Sequence, residues 1–142
     1  MLNDLLHKFL AKNKEVKMRV LSGDDIPVIK KVPTGVFVFD YLTMGGIPLG
    51  RVCEFVGQYS SGKTTMSFIV ANKFMQIFKD AEVVFIDFEQ SISKQWVEVF
   101  IKDKSRFKVV VPPYGEAGLD MVLYLLDNNA NVSLYIIDSL SA

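Results

Sequence analysis

The sequence predicts an α/β fold with a mostly parallel sheet and helices on both faces of that sheet. Apolar runs at residues 51–57, 82–89, 107–113 and 132–139 are continuous rather than alternating, which is typical of strands buried on both faces. Segments with apolar residues at helical spacing separate these runs. This order of strand, helix and strand implies right-handed crossovers between parallel strands.

The first part of the chain is predicted to form an arm. Residues 2–13 place leucines and a phenylalanine at helical spacing, and residues 16–21, "VKMRVL", alternate like an exposed strand. "SGDDIP" then has the composition of a turn. Because the run up to residue 33 has little core of its own, we expect a helix-and-strand arm at 1–33 and a compact core at 34–142.

The core is predicted to contain helices between its strands. The helical segments are residues 37–42, 62–78, 93–104 and 115–129. Apolar spacing in the second of them predicts a buried face made of Met66, Ile69, Val70, Phe74, Ile77 and Phe78. The sequence ends directly after the apolar run 132–139, so we expect a core truncated after that strand.

Composition restricts the classes of protein that fit. Sixteen basic residues balance sixteen acidic ones, so net charge gives no argument for nucleic-acid binding. The basic residues near the start fit a solvated arm better than a DNA contact. No apolar stretch reaches the roughly 18 residues that cross a bilayer. Because Cys53 has no partner for an intrachain disulfide, we expect a cytoplasmic protein.

The segment "GQYSSGKT", residues 57–64, matches the phosphate-binding P-loop pattern G-x-x-x-x-G-K-[ST]. An apolar run precedes it and a helical pattern follows, whereas a chance match in a turn would not require either flank. Amides of such a loop turn inward toward phosphate oxygens, the lysine reaches the β- and γ-phosphates, and the threonine hydroxyl ligates Mg²⁺. We therefore predict an ATP and Mg²⁺ site formed by Gly57, Gln58, Tyr59, Ser60, Ser61, Gly62, Lys63, Thr64 and Thr65.

Acidic residues at the ends of two predicted strands supply the remaining candidates. Asp87 and Asp138 each end an apolar run, and the carboxyl ends of parallel strands share one edge with the P-loop. Asp138, which follows the more apolar run, is the predicted second metal ligand (the Walker B acid), acting through water; the alternative is an aspartate that begins a turn. Glu89 lies two residues past Asp87 and is a candidate to orient the attacking water. Spacing alone does not distinguish this role from that of a solvated glutamate.

At this point the sequence resembles a known family. "TGVFVFDYLTMGGIPLGRVCEFVGQYSSGKTT", residues 34–65, is similar to the opening of the bacterial and phage RecA-type recombinase core. In that family a Thr-Gly, a Leu-Asp-like pair, a Gly-Gly-x-Pro-x-Gly-Arg turn and the P-loop recur in this order. "VVFIDFEQSIS" and "LYIIDSLSA" resemble the family's Phe-Ile-Asp-x-Glu stretch and its Walker B strand. The resemblance implies a P-loop NTPase fold of RecA type.

The resemblance also implies roles for individual residues. By this match Glu89 activates water, Lys63 acts on the phosphates, and Asp138 with Ser139 forms the Walker B end. The match also favours stacking of Trp96 on adenine, whereas the residues alone fit a core residue of its helix equally well. The arm would pack on a neighbouring protomer. There are departures: Gln58 and Tyr59 replace the usual Pro-Glu, and Ser93 replaces a common adenine-facing aspartate. The family's DNA-binding loops have no counterpart in this sequence.

The function implied by the resemblance is that of the ATP-binding part of a recombinase. Such a protein acts in homologous recombination and DNA repair by forming an ATP-dependent filament on single-stranded DNA. The complete protein would be a DNA-dependent ATPase, and we expect this chain alone to be weak or inactive. The alternatives are a non-catalytic interaction protein that joins or blocks recombinase filaments, and another ATPase of the same fold, either helicase-like or clock-type.

Overall fold

The computed structural model describes residues 2–15, 18–128 and 132–139. The chain forms two compact units, Met1–Lys30 and Lys31–Ala142. The helices are α1 (Leu2–Lys12), α2 (Phe37–Leu42), α3 (Lys63–Ile77), α4 (Lys94–Phe100) and α5 (Gly115–Asp127). The strands are β1 (Lys31–Val32), β2 (Ile47–Pro48), β3 (Glu82–Asp87), β4 (Phe107–Val110) and β5 (Val132–Asp138). None of the described helices combines the length and apolarity needed to cross a bilayer.

The first unit contains the predicted helix, α1, and a short 3-10 turn at Gly23–Asp25. The predicted strand at residues 16–21 is wrong for its described part. Residues 18–21 are exposed and have no regular structure, and the prediction for Val16 and Lys17 lies outside the described residues. Alternation of apolar and polar residues does not make a strand unless a partner satisfies its backbone groups.

The second unit is built on a parallel sheet, as the sequence predicts. Its strand order is β4-β3-β5, with Val83 opposite Phe107 and Asp87 opposite Asp138. The central strand, β3, is buried along nearly its whole length, as its continuous apolar run indicates. The parallel arrangement brings the carboxyl ends of β3 and β5 to one edge of the sheet.

Helices lie on both faces of this sheet. Val83 and Phe85 pack in one cluster with Phe68 of α3. Val84 and Ile86, which alternate with them along β3, point to the other face. On that other face α5 approaches so closely that a Cβ at Gly118 would lie 2.6 Å from the Phe88 ring. The prediction of an α/β fold with helices and a parallel sheet is therefore confirmed at this level.

The buried face of α3 differs from the predicted one. The residues that it buries are Phe68, Val70, Ala71, Phe74 and Met75. Of the predicted set, Met66 and Ile69 are only half-buried, and Ile77 and Phe78 are exposed. Since apolar residues occur on most sides of this helix, spacing alone did not select the face that meets the sheet.

The first two strands of this unit, β1 and β2, form a separate antiparallel pair, with Val32 opposite Ile47. Gly46 makes this pairing possible, because its φ is +103° and a Cβ there would lie 2.1 Å from the Val32 carbonyl oxygen. The second compact unit begins at Lys31, so it includes residues 31–33, which the sequence places in the arm. The division of the chain into an oligomerisation arm and an ATPase core remains a prediction.

A carboxylate organises the chain just before α2. Asp40 accepts hydrogen bonds from the Thr34 amide at 2.8 Å, the Thr34 hydroxyl at 2.7 Å and the Gly35 amide at 2.9 Å. Burial raises the pKa of the Asp40 carboxyl, but these hydrogen bonds outweigh it, so the pKa lies below its usual value. The order Thr-Gly followed by Asp is therefore explained by a loop that the carboxylate ties to α2.

The strand predicted at residues 51–57 is wrong. These residues have no regular structure, and Val52 and Val56 are 100% and 85% exposed. An apolar run indicates a tendency to be buried, but it does not supply the neighbouring strand that would cover it. Within the described residues, the segment before the candidate site is not paired with the β4-β3-β5 sheet.

Candidate functional site

The loop before α3 contains two residues in the left-handed region of backbone conformation. Gly62 precedes the first helical residue with a φ of +89°, and Ser60 also has a positive φ, +58°. A Cβ at Gly57 would lie 2.6 Å from the Ser61 hydroxyl oxygen and would force that hydroxyl to move. The two glycines of the pattern thus occupy positions where a side chain is disfavoured, and the loop leads directly into the amino end of α3.

The ammonium group of Lys63 lies over this loop. Its Nζ donates hydrogen bonds to the carbonyl oxygens of Gly57, at 3.1 Å, and Gln58, at 3.0 Å. Tyr59, between these residues and the helix, is 94% exposed. The positive charge is therefore held against the loop by carbonyl contacts that an anionic ligand could replace.

A hydrogen bond joins the start of α3 to the end of β5. The Thr64 hydroxyl donates to Oδ2 of Asp138 at 2.6 Å, although the two residues are 74 positions apart in the sequence. The structure thus brings together the hydroxyl and the carboxylate that the sequence nominated as metal ligands. Within the part of the chain that the structure describes, no group of three His, Cys, Asp or Glu side chains is placed to hold a metal ion.

The segment after β3 lies beside the same strand end. The Phe88 amide donates to the Asp138 carbonyl oxygen at 2.8 Å, and the Ser139 hydroxyl donates to Oε1 of Glu89 at 2.9 Å. Glu89 is therefore tied to the residue that directly follows Asp138. The loop lysine, the hydroxyl–carboxylate pair and this second carboxylate are the groups from which the candidate site is built.

Asp87, the other candidate metal acid, has a different environment. Its side chain is 2% exposed, and its carboxylate oxygens accept hydrogen bonds from the amides of Ser91, at 3.2 Å, and Ile92, at 3.0 Å. The carboxylate is therefore committed to the loop that follows its own strand. Sequence reasoning did not find this role, and the signal that could have suggested it is an aspartate followed by a short polar loop.

Trp96 lies on α4 and is 42% exposed. Its ring stacks on Phe100, with centroids 5.4 Å apart, and on Phe68 of α3, at 6.2 Å. Among the described residues its aromatic partners are therefore rings of α3 and α4. The Ser93 hydroxyl caps α4 by accepting from the Trp96 amide at 3.4 Å. Stacking of Trp96 on adenine remains a prediction.

Comparison with known proteins decides the family. A family model for the RecA N-terminal domain matches residues 5–142. The chain belongs to the RecA family. It is similar to Protein RecA of Nautilia profundicola, with 39% identity over 124 residues, and to Protein RecA of Mesoplasma florum, with 34% identity over 139 residues.

Membership of the RecA family confirms the resemblance that the ordered motifs indicated. The aligned regions cover 86% and 95% of this chain, but only 34% and 40% of those two RecA proteins. A third relative, Protein RecA of Cytophaga hutchinsonii, is 31% identical over 98% of this chain and 38% of its own length. The chain thus spans about two fifths or less of the length of these RecA proteins.

Proposed function

We propose that the loop 57–65 binds Mg·ATP and that this chain is the ATP-binding part of a RecA-type recombinase. The observation that carries the proposal is the 2.6 Å hydrogen bond between Thr64 and Asp138. It places a hydroxyl and a carboxylate side by side at the amino end of a helix, directly after a glycine-rich loop. Membership of the RecA family supports the same reading.

The side chains at this point suit Mg²⁺. This ion prefers oxygen ligands, keeps several waters and is usually held by one or two protein groups together with substrate phosphates. Thr64 and Asp138 supply one hydroxyl and one carboxylate, and Asp138 acts through water in this proposal. When bound, Mg²⁺ neutralises negative charge on the phosphates.

The loop itself would hold the phosphates. Its amides and the amino end of α3 offer N–H donors, and Gly57 and Gly62 allow the backbone to approach the ligand. Lys63 donates to two loop carbonyl oxygens, so binding would exchange these contacts for charge-assisted hydrogen bonds to the β- and γ-phosphates. Trp96 would stack on the adenine.

Glu89 would orient the water that attacks the γ-phosphate. A carboxylate can align such a water only if it is held near the phosphate site. The Ser139 hydroxyl donates to Glu89 one residue beyond Asp138, which supports that placement.

Isothermal titration calorimetry with ATP, ADP and AMP tests the nucleotide site. We expect affinity to fall along this series and Lys63→Ala to weaken ATP binding tenfold or more, because charge-assisted hydrogen bonds contribute roughly 1.5–3 kcal/mol each. Lys79→Ala removes a lysine just beyond α3 and serves as the matched control. Equal affinity for ATP and AMP, or an unchanged affinity in Lys63→Ala, would contradict the proposal.

We further propose that the arm joins copies of the protein into a filament on single-stranded DNA in homologous recombination and DNA repair. Leu2, Leu5 and Phe9 of α1 are more than half exposed, and α1 buries none of its residues in the described structure. Sedimentation of the wild type and of Phe9→Asp tests self-association. Asn3→Asp is the control on the same helix. Association that Phe9→Asp leaves unchanged would exclude α1 as the contact.

The exposed apolar residues of α1 also favour a second candidate, a non-catalytic protein that joins or blocks recombinase filaments. Mixing this chain with a full-length RecA protein separates the two functions. Inhibition at sub-stoichiometric ratios that survives Lys63→Ala would favour the interaction protein. Inhibition that requires Lys63 would favour the ATP-binding part of a recombinase over it.

A further inference from the structure

Asp87 is a buried acidic residue that has no role in the proposed Mg·ATP site. It shares a face of β3 with Phe85, and its carboxylate turns toward the chain that follows the strand. Burying a carboxylate is costly unless it is hydrogen-bonded, and here each oxygen accepts from one amide, Ser91 at 3.2 Å and Ile92 at 3.0 Å. These bonds close residues 88–92 into a loop.

This loop is fixed at its other points too. The Phe88 amide donates to the Asp138 carbonyl at 2.8 Å, and the Phe88 ring lies where a Cβ on Gly118 would come within 2.6 Å of it. Gln90 has a φ of +52°, a left-handed conformation that a non-glycine residue keeps only when its surroundings hold it. Ile92 packs against the main core cluster. Glu89 therefore lies in a loop whose two ends are fixed.

We propose that Asp87 is a positioning residue: its carboxylate folds the loop 88–92 so that Oε1 of Glu89 meets the Ser139 hydroxyl. The geometric part of this inference does not depend on nucleotide binding. Its catalytic consequence, that Asp87 places Glu89 for hydrolysis, rests on the proposed function. Among the described residues, the hydrogen bonds of Lys63 and Thr64 go to other partners than Asp87.

Asparagine cannot replace Asp87 in this role. Both carboxylate oxygens face N–H donors, whereas an amide group presents one oxygen and one NH₂. In either orientation Asp87→Asn places its NH₂ against a backbone N–H, although its size is unchanged. The loop should therefore open at Ser91 or Ile92 and move Glu89 away from Ser139.

The first test needs no nucleotide. The Glu89 Cδ resonance is recorded in the wild type, in Asp87→Asn and in each of these with Ser139→Ala. We expect Ser139→Ala to shift this resonance in the wild type and to have little effect in Asp87→Asn. An equal shift in both backgrounds would overturn the proposal. Asp103→Asn, which removes another loop-binding carboxylate, is the control and should keep the wild-type response.

The second measurement uses the wild type only, so it stands if Asp87→Asn does not fold. Amide hydrogen exchange should show Ser91 and Ile92 protected, because their N–H groups are bonded to a buried carboxylate. Rapid exchange at both amides would refute the loop-closing role.

The third measurement concerns catalysis. At saturating ATP, Asp87→Asn should slow single-turnover hydrolysis about tenfold or more and leave the ATP dissociation constant within about twofold. Parallel losses in rate and affinity would reject a positioning role. Failure of the wild type to bind ATP would contradict the proposed function, and the resonance and exchange measurements would then decide the role of Asp87 by themselves.

Discussion

Replacing Phe68 by alanine tests whether the aromatic cluster holds α3 against the sheet. Phe68 is fully buried, and its ring centroid lies 5.4–6.2 Å from those of Phe85, Phe107, Phe100 and Trp96. These rings belong to two paired strands and to α4, so they cannot all move in to fill the space. Truncating a buried phenylalanine costs about 3–5 kcal/mol. For a chain of this size the melting temperature should fall by roughly 10–20 °C.

Urea unfolding measures this loss with two independent probes. Far-UV circular dichroism follows the helices, and the fluorescence of Trp96, the single tryptophan, follows the α4–α3 contact directly. Phe37→Ala is the matched control; that ring is 79% exposed, so its loss should change stability by about 0.5 kcal/mol or less. A loss below about 1 kcal/mol for Phe68→Ala, at an unchanged m-value, would refute the packing argument.

Further predictions follow from single sites. Gly46→Ala should lower the free energy of unfolding in urea by about 2–6 kcal/mol, because of backbone strain and overlap with the Val32 carbonyl. Gly115→Ala, where a Cβ meets nothing within 4 Å, should be neutral or slightly stabilising. Equal losses of stability in the two variants would contradict the requirement for glycine at position 46. Hydrogen bonds from the Ser105 hydroxyl and from the Arg106 guanidinium, together with the Arg106 charge, lower the pKa of Asp103 from its ordinary value of 3.8 to about 2. The contribution of Asp103 to stability is therefore complete above about pH 4 and is lost as pH falls toward 2. The difference in stability between wild type and Asp103→Asn should shrink across that window, and a constant difference would refute this contribution. ATP should quench Trp96 fluorescence and tripolyphosphate should not; equal quenching by both would remove the adenine-stacking role.

The parts of the fold that depend on local pattern could be predicted from the sequence. The bounds of α2 match the prediction, because a short apolar pattern between turn residues fixes both ends. The parallel arrangement of β3, β4 and β5 followed from the alternation of strands and helices. The pairing of β1 with β2 was not predicted, because each strand has two residues and no periodicity to detect. The run 51–57 was predicted wrongly, because an apolar pattern carries no information about its partner.

The candidate site could likewise be predicted from the sequence only in part. Its loop residues were nominated by spacing, and the rule that parallel strands end at one edge correctly brought Asp138 to the loop side of the sheet. The strand 51–57, through which the sequence placed Thr64 at that edge, is absent from the described structure. The sequence favoured Asp138 over Asp87 as the metal ligand because Asp138 follows the more apolar run, but the hydrogen-bond partners of the two carboxylates could not be predicted, because both residues end apolar runs. These partners depend on which way each side chain turns at the end of its strand: toward its own loop at Asp87, and toward α3 at Asp138.

The most direct test of the account is the effect of Mg²⁺ on ATP affinity. Calorimetry with and without Mg²⁺ should show that the ion strengthens ATP binding to the wild type and to Ser67→Ala, which removes a hydroxyl one turn further along α3. In Thr64→Val and in Asp138→Asn the gain from Mg²⁺ should fall by about tenfold or more, with affinity for free ATP within about twofold. A wild type that gains nothing from Mg²⁺, or a full gain that survives in both variants, would contradict the account.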